Sequence, residues 1–323
     1  MLNVLYTVDN NYAMYMIVSI YSLLKNNQDL NINVYIISDN LSKETINELL
    51  KIFMIFPQNN LIINDSKKLI NKVTELNIPK WRQTSISNTR LFFNDIIDVD
   101  KILYLDSDTI IVNSLKNLNN LPDKSVYAVQ DLLSPNYYKK MSNDIDTYYN
   151  SGVLLLNRNE WENNNCSEKI INTISNNENI LKYPDQDILN IALNNDIGKL
   201  DIKYNLFSTL KLFSGLDLRI FLNNAKLNNF YNSKDIENAQ KNPVILHCVD
   251  CFGIRPWNDK LHPYAVDYYR YLKEIFPNVS ELDELKLYRK LIFNIINRLK
   301  VYTPVEVKDS IKNLIKYKKH TNN

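Results

Sequence analysis

The chain has 323 residues, 45% apolar and 23% charged, the proportions of a soluble globular protein with one large domain or two modest ones. A net charge of +2 gives no reason to invoke nucleic acid, and three cysteines (Cys166, Cys248 and Cys251) are too few for a disulfide scaffold and suit a reducing cytoplasm. The opening "MLNVLYTV" has no charged segment ahead of its apolar run, so no signal peptide is expected. The longest apolar stretch, Ala13–Leu24, is too short to span a bilayer and is broken by Ser19 and Ser22, so the expectation is a cytoplasmic protein.

In chain order, Asn3–Val8 reads as a short apolar strand and Tyr12–Leu24 has helical spacing. Asn33–Ser38 is a second strand, and Ser42 can cap a helix running through Leu49, Leu50 and Phe53. Leu61–Ile63 predicts a brief third strand, Ser85–Phe93 a helix and Lys101–Leu105 a strand. Strands alternating with helices predict an α/β fold, with a Rossmann-like, mostly parallel central sheet covered by helices on both faces. Further on, Val126–Asp131 and Tyr148–Asn157 read as strands, and Pro184 precedes a helix over Asp185–Asn194. Only four glycines occur, so Asn pairs such as Asn26-Asn27, Asn59-Asn60 and Asn119-Asn120 are expected to make turns.

In such sheets ligands bind beyond the carboxyl ends of the strands, which singles out Asp9-Asn10-Asn11, Asp106-Ser107-Asp108 and His247 after "PVIL". A D-x-D pattern alone says little, since the chain holds four. Asp106/Asp108 differs from the others because it follows an apolar strand directly and leads into another apolar run. Residues i and i+2 of extended backbone face the same way, so two carboxylates there repel unless a cation intervenes. The plainer reading is a solvent-facing turn. The sharper one is a hard divalent ion shared with substrate phosphates, with His247 as third ligand. "PVIL" reads as another parallel-type strand, which brings His247 to the same sheet edge; the plainer alternative is a histidine hydrogen-bonded at a strand end. Downstream, Gly253 permits close backbone approach to a phosphate, and Arg255 can bind phosphate oxygens. Cys248-Val249-Asp250-Cys251 offers zinc or redox chemistry as a rival, but no second C-x-x-C supplies the remaining zinc ligands.

Five segments together, "YTVDNNYA", "SNTRLFFNDIIDVDKILYLDSDTIIV", "YYNSGVLLLNRNEW", "YPDQDILNIAL" and "HCVDCFGIRPW", resemble glycosyltransferase family 8, over roughly residues 4–257. These are retaining, metal-dependent UDP-sugar transferases of the GT-A fold that include bacterial lipooligosaccharide galactosyltransferases and glycogenin. The resemblance implies transfer of a hexose, glucose or galactose, from a UDP-sugar to a glycan, glycolipid or glycoprotein acceptor. A non-catalytic sugar-nucleotide-binding relative is the alternative. Carried over residue by residue, it implies that Val8, Asp9, Asn11 and Tyr12 hold the nucleoside. It further implies that Asp106, Asp108 and His247 bind Mn2+ or Mg2+, with Ser107 beside the diphosphate. Gly253 and Arg255 contact the leaving phosphates, Arg90 reaches the donor, Asn150 and Ser151 line the sugar pocket, and Asp185 and Gln186 lie beneath the anomeric carbon. Gln186 is a weak nucleophile, so electrostatic help from Asp185 and Gln186 is favoured over a covalent intermediate. Two departures stand out: Asn10 replaces a second acid after the first strand, and Gly253 follows His247 by six residues, with Arg255 where a lysine is usual.

The transferase domain is expected to cover residues 1–283 and a basic amphipathic tail residues 284–323. In the tail Leu287, Leu291, Ile292, Ile295, Ile296 and Leu299 share a face, and Lys286, Arg289, Lys290, Arg298 and Lys300 lie largely opposite. Lys308, Lys312, Lys316, Lys318 and Lys319 follow. The tail has two readings: a helix lying on the anionic inner face of the plasma membrane, as a peripheral anchor, or an apolar face packed on the core or on a second subunit.

Overall fold

The computed structural model describes residues 1–304 apart from 82, 177–180, 195, 228, 252, 281 and 283–286. Its elements begin with β1 (Leu2–Val8), α1 (Ala13–Lys25), β2 (Ile32–Ser38), α2 (Lys43–Ile55), β3 (Asn60–Asp65) and α3 (Lys67–Glu75). A 3-10 segment (Ile86–Asp95) leads to β4 (Lys101–Leu105), β5 (Thr109–Ile111), β6 (Val126–Gln130), the short α4 (Pro135–Tyr138) and β7 (Tyr149–Asn157). Then come α5 (Arg158–Asn163), α6 (Cys166–Asn176), α7 (Pro184–Ala192), β8 (Ile197–Lys199), β9 (Leu206–Phe207), α8 (Ser208–Lys211) and α9 (Gly215–Ala225). α10 (Ser233–Lys241), β10 (Ile245–His247), α11 (Ala265–Ile275) and α12 (Leu287–Tyr302) complete the order.

The central sheet has the order β3-β2-β1-β4-β7-β6-β8. Every pairing is parallel except those of β7, which runs antiparallel to both β4 and β6. This is the expected α/β GT-A architecture. Alternate residues of β1 and β4 enter opposite apolar layers: Val4, Tyr6, Leu103 and Leu105 pack with α1, while Leu5, Ile102 and Tyr104 pack with α3, α6 and α7. Each fully buried aliphatic side chain contributes about 1.5–3 kcal/mol, so the two layers hold the sheet from both sides.

Two sequence expectations change. Ser85–Phe93 forms 3-10 turns with non-helical backbone at Phe92, not an α-helix. There Thr89 Oγ1 and Arg90 Nε donate to the carbonyls of Ile86 and Ser87, three residues back, and so compete with the bonding of an α-helix. "PVIL" is not in the central sheet: β10 is the middle strand of a second, three-stranded sheet, antiparallel to β5 and parallel to β9. As expected of the asparagine pairs, Asn26 ends α1 and Asn59 closes the turn from Phe56, and Asn40, Asn77, Asn165 and Asn229 take left-handed positions elsewhere. Asn27 and Asn59 also accept the Leu115 and Ile32 amides, tying their turns to the loop after β5 and to β2.

Ser19 and Ser22, which break the apolar run of α1, dock the second sheet. Ser19 Oγ meets Thr109 Oγ1 at 2.9 Å, and Ser22 Oγ accepts the Ile111 amide at 2.9 Å. As expected, Ser42 caps α2 by accepting the Thr45 amide.

α12 lies against α9. Val301 is buried, Asn224 Nδ2 donates to its carbonyl at 2.8 Å, and Tyr302 donates to Asp217 at 2.8 Å. Along the same helix Leu291, Ile292, Ile295, Ile296 and Leu299 are exposed. Lys286 and the lysines from Lys308 onward lie outside the described residues, as do the side chains of Leu287 and Arg289. Among the described residues no helix is long and apolar enough to cross a membrane.

His262 supplies a pH test of the fold. Its ring is buried, with Nε2 at 3.2 Å from the Val249 carbonyl and Nδ1 accepting the Tyr264 amide. Burial, helped by the Arg255 charge, pushes the imidazole down to about 4. Its stabilising effect is complete above the ordinary pKa of 6.5 and is lost as pH falls towards 4, because the unfolded chain takes up the proton first. Urea unfolding at pH 7.5 and 4.5 should therefore show His262→Gln losing ~3 kcal/mol less stability than the unsubstituted chain across that window. Equal losses would remove His262 from the acid transition.

Candidate active site

β1 and β4 are parallel neighbours, with Val4 beside Leu103 and Leu5 beside Tyr104, so the residues after each strand emerge at one edge. There Asp9 Oδ1 accepts the amides of Asn11 and Tyr12 at 3.0 and 3.2 Å, and this turn starts α1. Asn10, the departure noted in the sequence, bridges to the β2–α2 loop by accepting the Ser42 amide.

At the end of β4 the Asp106 amide donates to the Gly152 carbonyl at 2.8 Å. Thr109 Oγ1 donates to the Asp106 carbonyl, turning the chain into β5. β5 pairs with β10 so that Thr109 lies opposite His247, and the Cys248 amide donates to the Asp108 carbonyl. This second sheet brings His247 to the carboxylates. His247 Nε2 lies 3.3 Å from Asp108 Oδ1 and 3.8 Å from Asp106 Oδ2, and the donor atoms of the three residues lie within 4.8 Å of one another. Gly152 is required here: a Cβ on it would meet His247 Cε1 at 2.3 Å and Asp106 Oδ2 at 2.8 Å.

Two arginines hold the charge. Arg90, buried at 5% exposure, places Nη1 2.9 Å from Asp106 Oδ1 and Nε 3.3 Å from Asp185 Oδ2. Its Nη1 also donates to the Ser151 carbonyl at 2.8 Å, and its guanidinium carbon lies 4.2 Å from the Tyr104 ring centre. Arg255 Nη1 donates to the Asp108 carboxylate and to the Cys248 carbonyl. Burial raises the Asp106 carboxyl, and the Asp108 charge adds to this against the pull of Arg90 and His247. Burial acts the same way on Asp108, but His247 and Arg255 outweigh it and hold that carboxyl well below the usual range.

Beyond Asp106 the cleft continues to Asn150, Ser151, Asp185 and Gln186. Gln186 Oε1 accepts from Asn150 Nδ2 at 3.1 Å and from the Ser151 amide at 3.0 Å. Asp185 Oδ2 accepts the Ser151 hydroxyl at 2.9 Å. The cleft, about 570 Å³, is lined from Val8, Asp9, Asn11 and Tyr12, past Asp106, Ser107, Asp108, His247 and Arg255, to Arg90, Asn150, Ser151, Asp185 and Gln186. Its size is that of an ordinary small-molecule site.

Gly253 is the one expected residue outside this lining. It is exposed at φ 80°, in the turn closed by the Cys251–Ile254 bridge, and its amide donates to Asp250. The extra residues after His247 carry it away, leaving Arg255 to reach the carboxylates. The cysteines do not form a thiolate pair. Burial raises both thiols, that of Cys251 to about 11, and among the described residues the grouping of possible metal ligands contains neither.

Sequence reading passed over Asp131, Asn205, Trp81 and Tyr183. Asp131 accepts from Asn150 Nδ2 at 2.8 Å and Gln186 Nε2 at 3.3 Å inside the cleft. It directly follows β6, but the sequence pattern includes it in that strand, so the rule that found Asp9 and Asp106 does not select it. Asn205 has no sequence signal. Trp81 and Tyr183 meet as an aromatic pair, ring centres 5.2 Å apart, on the cleft wall.

Two carboxylates and an imidazole form an oxygen-rich donor set with one borderline nitrogen, which fits a divalent cation such as Mn2+. Asp106, Asp108 and His247 would hold it.

The sequence profile described as glycosyl transferase family 8 matches residues 3–260. A lipopolysaccharide 1,2-glucosyltransferase of Escherichia coli is 31% identical over 286 residues, covering 85% of this chain and 78% of that protein. General stress protein A of Bacillus subtilis strain 168 is 27% identical over 275 residues, covering 82% and 90%. Among solved structures, the galactosyltransferase LgtC in complex with donor and acceptor sugar analogs superposes with a TM-score of 0.68 at 22% identity, covering 88% of this chain and 98% of that one. That likeness is one of fold.

Proposed function

The chain belongs to glycosyl transferase family 8 and is a sugar-transferring enzyme, and from this we propose that it moves a hexose from a UDP-sugar to a glycan-bearing acceptor with retention of configuration. The observation that carries the reading is the meeting of Asp106, Asp108 and His247 beside Arg255, midway along a cleft that starts at Asp9 and Tyr12 and ends at Asp185 and Gln186. Tyr12 offers a ring to the base, and Asp9 holds the loop before it. A bound Mn2+ supplies charge to stabilise the UDP leaving group. Arg255 carries a second cation to the same edge, where negative charge develops as the glycosidic bond to phosphate breaks. Ser151 and Asp185 fix the sugar by hydrogen bonds, and Asn150, its amide engaged by Gly152, Asn205, Asp131 and Gln186, lines the pocket. Gln186 spends its amide oxygen on Asn150 and the Ser151 amide, which supports an electrostatic role over nucleophilic attack. Trp81 and Tyr183 give the open side an aromatic wall that suits the apolar face of an acceptor sugar.

A panel of UDP-glucose, UDP-galactose and UDP-N-acetylglucosamine with Mn2+, scored for UDP release, tests the reading. The glucosyltransferase relative supports UDP-glucose as the first donor to try. UDP-sugar binding without release, across glycan acceptors, would identify a non-catalytic relative instead.

We further read residues 1–283 as the transferase domain and 284–323 as a unit that seats it on the inner face of the plasma membrane. Support comes from the exposed stripe Leu291, Ile292, Ile295, Ile296 and Leu299 on α12, with Lys290 and Arg298 also exposed. Leu291→Glu with Ile295→Glu should lower recovery on vesicles rich in anionic lipid by about tenfold while leaving UDP-sugar hydrolysis unchanged. Undiminished recovery rejects the anchor.

A further inference from the structure

We propose that Asn205 is a positioning residue that fixes the proton of His247 on Nδ1, through a chain of hydrogen bonds rooted in the backbone amide of Gly152. The proposal rests on the reading of Asp106, Asp108 and His247 as a metal site. Asn205 is fully buried, just after a 3-10 turn (Ile202–Tyr204), and belongs to none of the segments that mark the family.

The chain of donors and acceptors has one orientation. The Gly152 amide donates to Asn150 Oδ1 at 2.9 Å, and a backbone N–H has no capacity to accept. That atom of Asn150 is therefore its oxygen, and its nitrogen faces Asp131 and Gln186 Oε1 at 2.8 and 3.1 Å, both acceptors. Asn205 Nδ2 approaches the same Asn150 oxygen at 2.9 Å, so the amide nitrogen of Asn205 points there. Its oxygen then faces His247 Nδ1 at 2.8 Å. An amide oxygen only accepts, so Nδ1 carries the proton, and in the neutral ring Nε2 is the bare nitrogen turned to Asp108 and Asp106.

Two consequences follow from this arrangement. A metal ligand must present a lone pair, and a second residue holding the opposite ring nitrogen commonly decides which one is bare. The relay also runs through Asn150 and Gln186, so the sugar end of the cleft and the metal end share one hydrogen-bonded chain. A leucine at 205 keeps the branching and heavy-atom count of asparagine, though it is bulkier, and offers no acceptor, which frees the ring to carry its proton on Nε2.

The test reads the tautomer directly. With three histidines in the chain, a long-range proton–nitrogen correlation spectrum of the metal-free protein at pH 8 resolves His247 once His262→Gln and His320→Gln have assigned the others. The expected result is a proton on Nδ1 in the unsubstituted protein and in Asn205→Asp, which keeps the acceptor facing His247 while losing the donor to Asn150, and a shift towards Nε2 in Asn205→Leu. Mn2+ affinity, followed by electron paramagnetic resonance, is expected to fall about 10–100-fold in Asn205→Leu and to stay within about threefold in Asn205→Asp. A proton on Nε2 in the unsubstituted protein overturns the relay, and this needs no variant to fold. So does an Asn205→Leu protein with unchanged tautomer and unchanged Mn2+ affinity. Absence of Mn2+ binding by the unsubstituted protein would overturn the metal reading, and the tautomer would still decide the relay.

Discussion

Asp106→Ala is expected to lower Mn2+-dependent UDP release by on the order of 10³-fold or more, and Asp108→Ala by as much. The two differ in what they do to the fold. Burial and the neighbouring Asp108 charge push the Asp106 carboxyl up, so the folded protein gains little from that charge. Removing it leaves Arg90 with Asp185 and the Ser151 and Ser87 carbonyls. Asp106→Ala should thus lose less stability than Asp108→Ala, the loss coming from the Arg90 ion pair and from the Tyr104 hydroxyl that donates to Asp106 at 2.7 Å. Asp108 is held low by His247 and Arg255, so its loss removes a favourable pairing, and Asp108→Ala should be measurably less stable at neutral pH. UDP release and Mn2+ binding measured on both variants check this, and full activity in either sinks the metal assignment.

Arg90→Ala is expected to be the most destabilising single change in the cleft, costing about 3–5 kcal/mol. Its guanidinium is buried between Asp106 and Asp185 and also satisfies the Ser151 and Ser87 carbonyls. Without it the Asp106 and Asp185 carboxylates lose the cation they share and face each other across a cavity. Burial itself disfavours the Arg90 charge, yet Asp106, Tyr104 and Asp185 together hold it firmly protonated. Arg90→Lys keeps the charge but not the planar fork, so it should recover part of the stability and little of the activity. Urea unfolding decides: a cost under 1 kcal/mol for Arg90→Ala shows that the two acids do not depend on it.

Most of the central sheet was legible because its pattern is local. β1, β2 and β4 are continuous apolar runs, and the helices between them carry a recognisable cap or an apolar face. Asp9 and Asp106 were found by one positional rule, the residue after a strand. Asp131 obeys the same rule in the structure, where β6 ends at Gln130, but the sequence pattern carries the strand through Asp131 itself.

The second sheet was not legible as a sheet, although "PVIL" read as a strand. β5, β9 and β10 have three, two and three residues, too short for periodicity to register. Its pairing also depends on serines that look like interruptions in α1 until Ser19 and Ser22 are seen meeting Thr109 and Ile111. The 3-10 segment escaped for a related reason: its departure from α-helix comes from side-chain bonds of Thr89 and Arg90 to their own backbone, which composition does not reveal.

By itself, then, the sequence determined the α/β sheet, the edge at which ligands bind, and the residue types able to bind a cation and a phosphate. These follow from hydrophobic period and from the chemistry of single side chains. Tertiary structure alone decided that His247 reaches Asp106 and Asp108 through a separate sheet, that Gly253 lies outside the cleft while Arg255 lies in it, and that Asn205 stands behind His247. Each of these is a contact between residues far apart in the chain. Such contacts are set by how strands pair and which side chains share a buried space, and no local pattern carries that information.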